Sequence, residues 1–190
     1  TLRAVAAAGL PAPAVEAEGL WEGVPYSIQE WIAGRTLREA LEKQPWRVWQ
    51  FGRAFGRMQA RLHRVCPPEV QPIEPHDWLD NVPPALAEAA ARQSRPSALC
   101  HFDYHPANVL VDGLTVTGMI DFTHARIADP AFDVARTRAL LLMAPLPADP
   151  LRPVFDQFRK VLARAWRSGY RAEAGRFPES PVFDAVGIAI

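Results

Sequence analysis

One short segment constrains the fold more than the rest of the chain: Val109-Leu110-Val111, then Asp112-Gly113, then Val116 to Ile120. An apolar run, a two-residue turn signal and a second apolar run predict a β-hairpin. The loop holds either two or four residues, so the register is open. In either register Asn108 and Asp121, which flank the hairpin, meet at its open end. Asp103 lies five residues before Asn108, on a loop that leads into the first strand. The chain must therefore fold so that three oxygen-bearing side chains face one point.

Taken singly, Asn108 would cap a turn and Asp121 would end a strand. Together with Asp103 they form the set that phosphoryl transfer requires: one carboxylate to hold an attacking hydroxyl, and an Asn and an Asp to hold Mg²⁺ on the phosphates. At these residues the sequence resembles the aminoglycoside phosphotransferase and choline kinase family, relatives of the protein kinases. The family's His-Gly-Asp-x-His-Pro-x-Asn-Val-Leu block matches His101 to Leu110, with Phe102 in place of the glycine. Its Ile-Asp-Phe/Trp block matches Ile120-Asp121-Phe122, and its Asp-Pro-x-x-Asp-Leu-Ala block matches Asp129 to Ala135. The resemblance covers most of the chain, from Leu2 to Tyr170.

The resemblance implies an α+β, protein-kinase-like fold: a remnant of the amino-terminal β lobe and hinge over residues 1–33, and a mainly helical catalytic lobe over 34–190. It implies that Asp103 is the catalytic base and that Asn108 and Asp121 are metal ligands. His101, His105 and Asp133 would support the catalytic loop. Main-chain groups of the hinge at Glu30, Trp31 and Ile32 would meet the adenine, with Trp31 either flanking the base or filling the lobe interface. The implied cofactors are Mg²⁺ and ATP or GTP, and the implied partner is a small-molecule hydroxyl acceptor.

Other chemistry is available to the same residues. His101 or His105 is a possible general acid or base, and His124 sits either near a phosphate or at the surface. A zinc site of His101, Asp103 and His105, alternate residues that share a strand face, would leave Asn108 and the Asp129–Ala135 block without roles.

Composition narrows the partners. Net charge is +0, which gives no electrostatic case for nucleic acid or an anionic membrane. The longest apolar run, Ala139 to Pro147, is too short to span a bilayer and is broken by proline. Cys66 and Cys100 have no metal spacing, as expected in a reducing cytoplasm. Cys100 sits in an apolar strand and reads as a buried structural thiol. The carboxyl-terminal acids Asp156, Glu173, Glu179 and Asp184 are interspersed with arginines. They favour neither a polycationic aminoglycoside nor choline as acceptor.

Along the chain, Leu2 to Gly9 predicts the end of a helix, and Val15–Leu20 and Tyr26–Ile32 two strands around a Glu22-Gly23 turn. Thr36 predicts an N-cap for a helix through Lys43. Val48, Phe51, Phe55, Met58, Leu62 and Val65 recur at helical spacing and predict a core-facing stripe. An irregular stretch over Cys66–Pro84 is followed by a helix at Ala85–Gln93. Ala131–Met143 predicts a buried helix, and Asp149-Pro150 starts another through Ser168. The tail from Arg171 is weakly patterned.

A kinase-like enzyme also needs a glycine-rich loop and a strand lysine over the phosphates. The only lysines are Lys43 and Lys160, and no glycine cluster precedes Gly9. The expectation is a chain truncated at its amino terminus and inactive alone. The alternatives are a naturally short pseudokinase that binds nucleotide or acts as a scaffold, and a chain completed by a partner. Val15, Leu20 and Ile28 would expose apolar surface, a possible route to a homo-oligomer.

Overall fold

The computed structural model describes residues 1–73, 82–143 and 152–189. Helix α1 (Leu2–Ala7) leads into an antiparallel hairpin of β1 (Val15–Trp21) and β2 (Val24–Gln29). Its turn residues Glu22 and Gly23 have φ of 50° and 82°, the positive values that tight hairpin turns need. β2 ends at Gln29, three residues short of the Ile32 expected from sequence. β1 begins at Val15, so after Glu30 N–H reaches Ala14 O at 2.8 Å there is no strand left to pair with.

β3 (Arg35–Thr36) is a two-residue strand that alternation does not reveal. Thr36 then caps α2 (Leu37–Lys43) in a reciprocal box: Thr36 Oγ1 accepts from Glu39 N–H at 3.1 Å, and Glu39 Oε2 accepts from Thr36 N–H at 2.9 Å. A 3₁₀ turn at Pro45–Arg47 leads into α3 (Val48–Leu62). Its stripe is core as expected: Phe51, Phe55, Met58 and Leu62 are buried, and Val48 and Val65 pack against the same cluster.

Helix α4 (Pro84–Gln93) and strands β4 (Ala98–Cys100), β5 (Val109–Asp112), β6 (Thr115–Met119) and β7 (Arg126–Ala128) follow. β6 starts and ends one residue earlier than the Val116–Ile120 expected from sequence, and its pairing of Asp112 with Thr115 leaves a two-residue loop, Gly113-Leu114. Among the described residues the strands form three small sheets: β1-β2, β3-β5-β6 and β4-β7.

Helices α5 (Pro130–Met143), α6 (Arg152–Ala174) and α7 (Pro181–Ala189) complete the order. The expected helix start at Asp149-Pro150 and part of the Cys66–Pro84 stretch lie outside the described residues. The tail from Arg171 is more regular than expected: α6 continues through it, and α7 follows. Ser180 supplies the reason for α7, accepting from Phe183 N–H at 3.2 Å as an N-cap with Pro181 behind it.

Helices α3 and α6 approach so closely that glycine is required at the seam. A Cβ on Gly56 would lie 2.0 Å from Trp166 O, and one on Gly169 would lie 2.1 Å from Arg53 O. The main core joins this seam to Leu99, Tyr104, Val109, Val111 and Met119. It thus forms the floor under the segment that carries the candidate site.

Candidate active site

The segment that leaves β4 enters a loop whose first side chain is sealed from solvent. His101 is buried, with its ring 4.6 Å from that of Phe122 and 5.8 Å from that of Tyr104. Burial pushes its pKa below the ordinary value, more than the nearby Asp133 and Asp103 raise it. The neutral ring donates from Nε2 to Ile120 O at 3.1 Å, which makes Nδ1 the acceptor. Nδ1 is buried and has no hydrogen-bond partner among the described residues. His101 ties the loop to the hairpin end and has no open path to a substrate.

Asp103 sits at the surface of this loop, its side chain 28% exposed. Asn108 Nδ2 donates both to Asp103 Oδ2 at 2.9 Å and to Asp103 O at 3.0 Å. His105 Nε2 lies 3.4 Å from the same Oδ2, a contact longer than a good hydrogen bond. His105 Nδ1 accepts from Ala107 N–H at 3.2 Å, so the ring is anchored to its own loop. Oδ2 is thus held from two sides, and Oδ1 accepts no hydrogen bond within the described residues.

The hairpin delivers Asp121 to this place. Val109 pairs with Met119, and Ile120 N–H extends the ladder to Asn108 O at 3.0 Å. Asp121 leaves the hairpin one residue later with φ of 61°, a left-handed turn that Asp tolerates better than most residues. Its Oδ1 accepts from Thr123 Oγ1 at 2.7 Å, and the side chain is exposed. His124 is exposed as well. The pair fits a hard cation: the Asn108 amide nitrogen is committed to Asp103, which leaves its oxygen, and Asp121 adds a carboxylate. A cavity of about 470 Å³ opens beside Asp121, Phe122 and Thr123, and its other walls include Leu2, Arg3, Val15 and Glu18.

Behind the loop lies Asp133, fully buried on α5. Burial alone would raise its pKa, but three donors outweigh that and hold it below the ordinary carboxylate value. His63 Nε2 donates to Oδ2 at 2.8 Å, Gln59 Nε2 donates to Oδ2 at 2.9 Å, and Phe102 N–H donates to Oδ1 at 2.6 Å. The Tyr170 hydroxyl meets His63 Nδ1 at 2.7 Å, and Trp166 Nε1 donates to Gln59 Oε1 at 2.8 Å. Sequence reasoning placed Asp133 and missed Gln59, His63, Trp166 and Tyr170. The available signal was two polar side chains four residues apart, Gln59 and His63, beside an otherwise apolar stripe.

Among the described residues, the His, Cys and acidic side chains close enough to share an ion are His63, Cys100 and Asp133, within 4.8 Å of one another. His101, Asp103 and His105 do not form such a group. The buried triad is a hydrogen-bonded cluster: His63 and Asp133 already bond each other, and burial holds the Cys100 thiol protonated.

Phe102 has φ of 63°, a conformation that costs a non-glycine residue about 1–2 kcal/mol. The hydrogen bond to Asp133 and burial of its ring offset that cost. The expected hinge residues are spread differently. Ile32 packs on Gly118 of β6, where a Cβ would meet its Cδ1 at 2.9 Å. Trp31 is 91% exposed, so no described residue packs it into a lobe interface.

Comparison with known proteins now bears on this geometry. Residues 1–175 match the profile of the phosphotransferase enzyme family known as APH. The chain belongs to this family. Solved structures agree at the level of the fold. An aminoglycoside-3'-phosphotransferase of type VIII superimposes with a TM-score of 0.70 at 20% identity, over 99% of this chain and 76% of that one. A thermostable mutant of aminoglycoside phosphotransferase APH(4)-Ia, in ternary complex with AMP-PNP and hygromycin B, gives 0.61 at 20% identity, over 98% and 69%. Macrolide 2'-phosphotransferase MphH from Brachybacterium faecium gives 0.54 at 17% identity, over 98% and 67%. Comparison with curated protein sequences gave no significant match. The α+β, protein-kinase-like architecture expected from the motifs is the architecture of this phosphotransferase family. Among the described residues, no helix is long and apolar enough to cross a membrane.

Proposed function

We propose that the chain transfers the γ-phosphoryl group of ATP or GTP to a hydroxyl of a small molecule, with Asp103 as base and Asn108 and Asp121 as Mg²⁺ ligands. The observation that carries the reading is the Asn108 side chain, which fixes Asp103 through its nitrogen at the hairpin end where Asp121 emerges. The solved relative with AMP-PNP and hygromycin B supports a nucleotide donor and a small-molecule acceptor in this reading.

In this mechanism Asp103 Oδ1 accepts the hydrogen bond of the acceptor hydroxyl and takes its proton as the bond to phosphorus forms and the bond from the γ-phosphorus to the bridging oxygen breaks, releasing the nucleoside diphosphate. Because the transition state is loose, orienting that oxygen matters more than early removal of its proton. Asn108 holds the carboxylate in one rotamer, and His105 flanks it. A divalent cation between Asn108 and Asp121 would neutralise charge on the phosphate oxygens. Ile32, fixed to β6, sets the hinge at Glu30, Trp31 and Ile32 against the adenine. Residues 1–33 then act as the nucleotide-facing lobe, and residues 34–190 as the catalytic lobe.

Three of the four carboxyl-terminal acids are already paired with arginines, so they supply no reason to prefer a polycationic acceptor over choline. Glu173 is paired with Arg61 and Arg64 at 3.3 and 3.2 Å, Glu179 with Arg167 at 2.6 Å, and Asp184 with Arg138 at 2.8 Å. A second reading, nucleotide binding without turnover, is favoured by the lysines: Lys43 ends α2 and Lys160 lies on α6, so neither stands on a strand to reach phosphates. Incubation with Mg²⁺ and labelled ATP or GTP, against aminoglycoside, macrolide and amino-alcohol acceptors, separates the two. A phosphorylated acceptor detected by mass supports the enzyme. Nucleotide binding with no product from any acceptor supports the second reading.

A further inference from the structure

The left-handed backbone at Phe102 has at least two supports, and one comes from outside the residues matched by the family. The first is the N–H bond to Asp133. The second is a ladder of rings. Phe102 meets Phe132 edge-on, with centroids 5.1 Å apart and planes at 73°, and Phe132 stacks on Phe183 at 5.3 Å and 14°. All three rings are buried in one cluster. Phe183 belongs to α7, beyond residue 175 where the family match ends.

α7 is seated firmly enough to act as a support. Ser180 at its start accepts from Gln93 Nε2 of α4 at 2.9 Å as well as from Phe183 N–H. Arg138 of α5 donates to Asp184 at 2.8 Å. Gly187 lies so near α5 that a Cβ there would stand 2.9 Å from Ala135 O.

We propose that Phe183 is a positioning residue for the catalytic loop: through Phe132 it holds Phe102 in the left-handed conformation that presents its N–H to Asp133. The catalytic consequence rests on the reading of Asp103 as base. Asp103 follows Phe102 directly, so a change of φ at Phe102 swings the Asp103 carboxylate away from Asn108. A glycine adopts positive φ with no side chain to brace. The ladder is needed here because a phenylalanine occupies the position.

Amide hydrogen exchange of the whole chain, read by NMR, tests this without substrate. Leu99 N–H, bonded to Val65 O at 2.7 Å in the main core, reports global opening. Phe183→Ala is expected to lower protection at the Phe102 amide about tenfold more than at Leu99. In a Phe102→Gly background, Phe183→Ala should change both amides equally. Phe183→Leu, which keeps most of the volume without the ring, serves if the alanine variant does not fold, and should show a selective loss of about threefold. Equal loss at both amides with Phe102 present, or a selective loss that persists with glycine at 102, would overturn the proposal. Because no turnover is measured, either result leaves the phosphotransfer reading to its own test.

Discussion

The described residues contain two β-hairpins of similar apolar content, β1–β2 with strands of seven and six residues and β5–β6 with strands of four and five, and they have opposite fates. In β1–β2, Leu20 is 71% exposed, Trp21 72% and Ile28 51%, and only Val15 and Ala17 at the start of β1 are half-buried. In β5–β6, Val109, Val111 and Met119 are buried in the main core, where β5 meets α2 and β6 meets α3. Backbone pairing is equally regular in both, apart from one register shift in each. Pairing is thus a local property of turn and alternation, whereas burial depends on what else packs there. The candidate site sits at the end of the buried hairpin, where the core fixes Asn108 and Asp121 relative to each other. A chemical site needs that rigidity.

The largest expected effect lies just under the buried hairpin. Asp133→Ala leaves His63, Gln59 and the Phe102 N–H without their shared acceptor, and should cost about 3–5 kcal/mol in urea unfolding. A cost below 1 kcal/mol would mean that the buried region is held by packing alone. Met119→Ala, which empties a fully buried position of β6, should cost about 2–5 kcal/mol.

A pH effect ranks next. The buried His101 has a folded pKa below its ordinary value near 6.5, so the unfolded chain takes up a proton that the folded ring refuses. Stability should therefore fall as pH drops below about 6.5 and level off above it. Unfolding free energies from pH 5 to 8 should show this slope, flattened in His101→Gln. A slope unchanged by that substitution would assign it to another group.

The smallest effect belongs to the exposed hairpin. Ile28→Ala on β2 should change stability by less than about 0.5 kcal/mol, the usual range for a surface substitution. A loss approaching that of Met119→Ala would show that this face is covered in solution, and the contrast between the hairpins would collapse.

Much of the site was legible because its residues lie close together in sequence. Asp103, Asn108 and Asp121 surround one hairpin, and turn chemistry with strand alternation carries them to one end. The two-residue loop could not be read, since Gly113-Leu114 and a longer loop fit the same pattern. The support behind the loop was illegible for another reason. His63, Gln59 and Tyr170 are 70, 74 and 37 residues from Asp133, and no local periodicity marks a polar network assembled from three helices. The short strands β3 and β7 were missed because two or three residues cannot display alternation. α7 was missed because its cap, Ser180, lies in a stretch without apolar stripes.

The central claim is that Asp103 acts on the acceptor while Asn108 and Asp121 hold the metal. Its most direct test is titration of Mg²⁺-nucleotide into the wild type, Asp103→Ala, Asn108→Ala and Asp121→Ala, with turnover measured on an acceptor in hand. Asp121→Ala should abolish Mg²⁺-dependent binding and turnover, and Asn108→Ala should weaken binding less, because it removes a neutral oxygen. Asp103→Ala should keep nucleotide affinity and lower kcat by about 10²–10⁴, the scale of a positioned acid or base. If Asp103→Ala instead lost nucleotide binding and kept its rate per bound complex, Asp103 would be a ligand and the assignment of roles would be wrong.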